Sequence, residues 1–253
     1  MSRQRLGQHF LAKGSILEHI ARAICPDREP LVIEIGPGRG ALTEKLLEKA
    51  DRVIAIEIDA ELVDVLREKF RDEPRLTLIH ADVLETDLGQ WGAAAVAGNL
   101  PYYAATPIIE RTLSTGASLH RAVFLVQKEV AARLAARPRT RDYGYLSVHT
   151  QLLAEVEALF DVRPSAFRPP PKVDSTLIRL RPRNRAAELR INDIARFLDF
   201  VKLCFHHKRK TLRNNLAGVY GKDVLDGRSE AGKRAEELTL QQFAELYFRL
   251  VPS

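Results

Sequence analysis

The feature that most constrains this chain is a strand-sized apolar run, Leu31 to Ile35, that passes directly into Gly36-Pro37-Gly38-Arg39-Gly40 and then into a helical pattern. Glycines at that spacing suit a sharp strand-to-helix turn whose backbone approaches a ligand too closely for a Cβ. Further short runs rich in Val, Ile, Leu and Ala follow at Arg52 to Glu57, Leu76 to His80, Ala93 to Ala97 and Arg121 to Val126. Such predominantly apolar runs predict buried strands. Ala41 to Lys49 and Ala60 to Phe70 carry apolar residues at helical spacing between them. Alternating strand and helix predicts an α/β fold with a mainly parallel, doubly wound, Rossmann-like sheet. After the proline-rich Arg168 to Lys172 and a late strand at Ser175 to Leu180, the pattern becomes helical and glycine-punctuated. The expected division is an α/β domain over residues 1–182 and a small helical domain over residues 183–253.

No apolar stretch reaches the length of a membrane span, and Met1 to Leu11 is polar and basic, so a cytoplasmic chain is expected. The two cysteines, Cys25 and Cys204, have no metal-type spacing and suggest neither a disulfide framework nor a zinc site. The net charge of +6 is unevenly placed: residues 181–253 hold 15 basic and 9 acidic residues, while the preceding 180 balance. A polyanionic partner fits that asymmetry, although a basic face can also be merely solvated.

The loop spacing is G-x-G-x-G, which is neither the dinucleotide fingerprint nor a phosphate loop. Glu57 ends the second strand, where a carboxylate can accept both hydroxyls of a ribose, and Asp82 follows the third, placed to accept from an adenine amino group. Each acid alone reads equally as a loop cap. Together with Gly36 and Gly38, at three consecutive strand ends, they look like motifs of class I S-adenosylmethionine-dependent methyltransferases.

Gly98-Asn99-Leu100-Pro101-Tyr102 follows the fourth strand. The exocyclic nitrogen of adenine is a poor nucleophile because its lone pair is delocalised into the ring. Two acceptors, the Asn99 side-chain oxygen and the Leu100 carbonyl held by Pro101, would draw that nitrogen toward tetrahedral geometry as positive charge develops on it. Tyr102 can stack on the base. The methylated ammonium is acidic enough to lose its proton unaided, so no catalytic base is expected, and orientation carries the rate.

These residues resemble one family closely, the small-subunit (16S-type) rRNA adenine-N6,N6-dimethyltransferases of the KsgA type, almost from end to end. Leu6 to Leu11 looks like its N-terminal cofactor-covering motif, and Ser165 to Ser175 is similar to its late motif, in which Phe167 would stack on the target base opposite Tyr102. The resemblance implies S-adenosylmethionine held by His9, Leu11, Gly36, Gly38, Glu57, Asp82 and Asn99. It also implies two neighbouring adenosines near the 3′ end of small-subunit rRNA as substrate. His9 stands where many relatives carry Asn, and Arg139 where relatives often carry Gly.

Val201 to Leu216 reads as one helix with a cationic stripe of Lys202, His206, Arg209, Lys210 and Arg213, similar to the family's C-terminal RNA-binding signature. A monomer acting on a small ribosomal particle is the expectation. Two rivals share the fold: the large-subunit rRNA methyltransferases that confer macrolide resistance, and a non-catalytic assembly or RNA-binding factor. Leu100 in place of Ile, and the segments 165–175 and 208–216, resemble the small-subunit group more.

Overall fold

The computed structural model describes residues 9–251, so Leu6, Gly7 and Gln8 of the N-terminal motif lie outside the described residues. The elements run β1 (Phe10–Leu11), α1 (Gly14–Ile24), β2 (Glu29–Ile35), α2 (Ala41–Leu47), β3 (Ala50–Glu57), α3 (Ala60–Lys69), β4 (Leu76–His80), β5 (Ala94–Asn99) and α4 (Ala105–Leu113). They continue with β6 (Leu119–Gln127), α5 (Lys128–Ala135), α6 (Tyr145–Leu153), β7 (Ala154–Val162), β8 (Phe167–Arg168), β9 (Ser175–Pro182), α7 (Arg185–Glu188), α8 (Ile194–Cys204), α9 (Leu212–Tyr220) and α10 (Leu240–Leu250).

Two compact units divide the chain, one holding the described residues up to Ala131 with Val156–Pro182, the other Ala132–Glu155 with residues from Arg183 onward. The first is built on a 7-stranded sheet in the order β4-β3-β2-β5-β6-β9-β7, with β1 and β8 forming a separate antiparallel pair. Pairs β2·β3, β3·β4, β2·β5 and β5·β6 are parallel, and β6·β9 is antiparallel. Val32, Val53, Ala95, Val123 and Leu177 pack with Leu17, Ile20 and Ile24 of α1 and Leu42 and Leu46 of α2. Their sequence neighbours Ile33, Ile54, Val96, Phe124 and Ile178 are buried as well and point to the opposite face. Both faces are thus covered, which is why the strands read as mostly apolar runs without alternation.

Strand order reverses between β2 and β5. A doubly wound sheet opens a crevice at such a switch point, beyond the carboxyl ends of the strands. The glycine loop follows β2 and Asn99 ends β5, so the two central motifs flank that crevice.

The second unit is helical, with Tyr143, Val148 and Leu152 of the earlier segment in one core with Phe197, Val201, Leu216, Phe243 and Tyr247. The expected single boundary at 182/183 is therefore one of three crossings, because the apolar residues of Tyr143–Leu152 are buried among the C-terminal helices. This enlarges the charge asymmetry: Ala132–Glu155 and Arg183–Ser253 together carry 18 basic and 11 acidic residues, net +7, against 21 and 22 in the rest of the chain.

The single helix expected over Val201 to Leu216 is corrected: α8 ends at Cys204 and α9 begins at Leu212. Asn215, 7% exposed, stabilises the break. Its Nδ2 donates to the carbonyls of Cys204 (2.7 Å) and His207 (3.2 Å), and its Oδ1 accepts from the His207 N–H at 3.1 Å. Thr211 then caps α9 through the Asn214 N–H. Lys202 consequently sits on α8, His206, Arg209 and Lys210 in the turn, and Arg213 on α9. All five are exposed, Lys202 paired with Asp199 (3.2 Å) and Arg213 with Asp226 (2.9 Å).

Candidate active site

Glu57 closes β3 and is 4% exposed. Its Oε2 accepts from the N–H of Gly38 at 3.1 Å and its Oε1 from those of Ile58 and Asp59 at 3.0 Å each. Three of the carboxylate's roughly four acceptor positions are thus spent on backbone, so this acid shapes the glycine loop as much as it faces a ligand. Burial pushes its carboxyl above the usual range, and the three N–H groups oppose the shift. Asp82, after β4, accepts the Leu84 N–H on Oδ1 at 2.9 Å, an Asx turn that leaves Oδ2 uncommitted to that turn.

Gly38 takes φ +59°, and a Cβ there would stand 2.9 Å from the Phe10 ring. Phe10 belongs to β1, whose partner β8 sets Leu11 opposite Phe167. The N-terminal segment is thereby laid over the glycine loop on one side and tied to the proline-rich motif on the other. Arg39 lies 5.4 Å over the Phe10 ring.

At the end of β5, Asn99 Nδ2 donates to the His9 carbonyl at 2.9 Å. The His9 ring bonds the Pro169 carbonyl through Nδ1 at 2.8 Å and lies 5.6 Å from the Tyr102 ring, tilted by 34°. Leu100 N–H donates to the Leu125 carbonyl at 3.1 Å, fixing the backbone just before Pro101. Burial raises the Tyr102 phenol above its usual range, with Ser175 beside it acting the other way.

A cavity of about 200 Å³ is lined by His9, Leu11, Gly36, Gly38, Glu57 and Asp82 together with Asn99, Leu100, Pro101, Tyr102 and Phe167. The structure thus gathers every cofactor and base residue expected from sequence at one place. Phe167 is 1% exposed, packs in one core with Leu11 and Leu17, and also lines the cavity. The cationic residues 202–213 belong to the other unit.

Sequence reasoning passed over Glu34 as more than a loop flank. It is 1% exposed, lines the cavity, and accepts from Thr43 Oγ1 at 2.6 Å. Burial, reinforced by nearby Glu57, pushes its carboxyl up to about 7. An acid inside an otherwise apolar strand run, between Ile33 and Ile35, was the available signal.

A family model described as ribosomal RNA adenine dimethylase matches residues 1–250. The chain belongs to this family. Its relatives include ribosomal RNA small subunit methyltransferase A of Acidobacterium capsulatum, 44% identical over 96% of this chain and 89% of that protein. The protein of the same name from Xanthomonas axonopodis pv. citri is 42% identical over 97% and 95%. Among solved structures, a dimethyladenosine transferase from Plasmodium falciparum superposes with a TM-score of 0.79 at 26% identity, covering 94% of this chain and 96% of that one. The 23S rRNA methyltransferase ErmE gives 0.70 at 29% identity over 96% and 100%. This rRNA dimethylase fold is that of the class I S-adenosylmethionine-dependent methyltransferases, and the cavity's chemistry suits that cofactor. Glu34, Glu57 and Asp82 supply acceptors for a ligand rich in hydroxyl and amine donors that carries a sulfonium charge. Among the described residues no group of three His, Cys, Asp or Glu side chains could hold a metal ion, and no helix is long and apolar enough to cross a membrane.

Proposed function

We infer that this chain transfers methyl groups from S-adenosylmethionine to N6 of two adjacent adenosines near the 3′ end of small-subunit rRNA, giving N6,N6-dimethyladenosine during assembly of the subunit in the cytoplasm. The observation that carries the reading is the Asn99 amide: with Nδ2 spent on the His9 carbonyl, its single oxygen is the group left to accept from an incoming amine.

When bound, the cofactor supplies an electrophilic methyl on sulfur. His9, Leu11, Gly36, Gly38, Glu57 and Asp82 hold it, Glu57 through the ribose and Asp82 through the adenine. Asn99 Oδ1 and the Leu100 carbonyl, stiffened by Pro101, accept from the two N–H bonds of the target amine and orient its lone pair. Tyr102 and Phe167 clamp the extruded base. For the second transfer only one N–H remains, so the site must admit a methyl where a proton was bound. The turn 205–211, with Lys202 and Arg213 beside it in sequence, supplies cations for phosphates of the particle. The chain acts as a monomer.

The test is methyl transfer from labelled S-adenosylmethionine to unmethylated small and large subunits in parallel, with nucleoside analysis. Dimethyladenosine in small-subunit RNA alone is expected; labelling of large-subunit RNA would move the activity to the group that includes ErmE, and no labelling of either would leave an RNA-binding factor.

A further inference from the structure

Seven large apolar side chains are exposed among the described residues, and three of them, Ile58, Leu84 and Tyr103, line the active-site cavity. An apolar rim of this kind marks where a ligand lies. Ile58 directly follows Glu57, and Leu84 is held by the Asp82 turn, so both belong to the nucleoside end of the cofactor site. Tyr103 follows the Asn99–Tyr102 motif and is 65% exposed, the most of the seven.

The backbone explains its position. Ala104 N–H donates to the Pro101 carbonyl at 3.0 Å, closing a turn with Tyr102 and Tyr103 at its centre. Tyr102 is thereby drawn in, its ring against His9, while Tyr103 is left at the rim, at the foot of α4.

We propose that Tyr103 is a positioning residue that stacks on the RNA base next to the adenosine held in the cavity. This rests on the reading that the substrate is RNA with two adjacent target adenosines. Extruding one nucleotide removes a stacking neighbour from the next base and frees its face. An aromatic ring accepts that face whatever the base. Whichever target adenosine occupies the cavity, the nucleotide on one fixed side of it along the strand stands at the rim, and because stacking tolerates any base, one tyrosine serves both positions.

The experiment compares wild type, Tyr103→Phe and Tyr103→Ala for equilibrium binding to unmethylated small subunits, and for KM toward subunits and toward S-adenosylmethionine. Tyr103→Ala should weaken binding and raise KM for subunits roughly 5- to 150-fold, the range of one base–aromatic stack. KM for the cofactor should stay unchanged, and Tyr103→Phe should behave as wild type. Unchanged subunit binding in Tyr103→Ala, or a parallel rise in the KM for S-adenosylmethionine, overturns the proposal. Loss of function in Tyr103→Phe does so too, by pointing to the hydroxyl. The binding arm reads the stack without catalysis, so it fails independently of the proposed methyl transfer, which wild-type labelling tests.

Discussion

Asn99 donates from its side-chain amide to the backbone carbonyl of His9, 90 residues earlier, at 2.9 Å. That bond decides which end of the amide faces the cavity. Asn99→Asp replaces the donor with a second oxygen set against the His9 carbonyl, and Asn99→Ala removes donor and acceptor together. Each is expected to lower the single-turnover rate of methyl transfer by about 10² to 10³, the usual cost of losing one transition-state hydrogen bond.

Glu34 predicts a pH dependence of stability. Its folded-state carboxyl titrates at about 7 against an ordinary 4.5, because burial disfavours the charge. The native state therefore holds the proton more tightly: the stabilisation is full below pH 4.5, is lost as pH rises toward 7, and stays lost above, on the order of 3 kcal/mol in all. Glu34→Gln keeps an acceptor for Thr43 and carries no charge. Urea denaturation at pH 5 and pH 8 should show a smaller loss between the two in Glu34→Gln than in wild type.

Two glycines should fail for different reasons. At Gly98 an added Cβ would lie 2.6 Å from the Ile35 carbonyl oxygen, across the parallel ladder of β2 and β5, where neither backbone can yield. Gly98→Ala is expected to cost about 2–4 kcal/mol of stability. At Gly36 a Cβ meets nothing within 4 Å, but φ is +66°. Gly36→Ala should cost only about 1–2 kcal/mol, the left-handed penalty alone. Denaturation midpoints at constant m-value separate the two.

The charge on the turn between α8 and α9 should be read in salt. Arg209 and Lys210 are exposed there, whereas Arg213 is engaged by Asp226 at 2.9 Å. Arg209→Ala with Lys210→Ala should flatten the plot of log affinity for small subunits against log salt by about two phosphate contacts, and Arg213→Ala by less. Titrations at three salt concentrations check this.

Much of this was legible in the sequence because sheet strands buried on both faces leave continuous apolar runs, and because the chemistry sits at their carboxyl ends, where glycine, Glu57, Asp82 and Asn99 break those runs. Other features were hidden. The strand Ala154–Val162 carries Glu155, Glu157 and Asp161 at alternate positions, the period-two pattern of a strand, but no unbroken apolar run announces it. Periodicity joined α8 to α9 because Phe205 and Leu212 keep the helical spacing. What breaks the helix is the Asn215 side chain satisfying backbone groups of the turn, which hydrophobic spacing does not record. The burial of Glu34, likewise, depends on Thr43 reaching it from the next helix.

The second unit takes Ala132–Glu155 from the middle of the chain and the rest from its end. A fragment beginning at Arg183 would lack Tyr143, Val148 and Leu152, and its remaining helices would face water where those side chains belong. During synthesis the same residues leave the ribosome 34 to 43 positions before Ala186, the first of their C-terminal partners, and must wait, apolar and uncovered, until Leu240–Leu250 is made. The core of the helical unit is therefore closed only once Leu240–Leu250 has been made, so any product truncated before that helix lacks this core even where the sheet-bearing unit has folded.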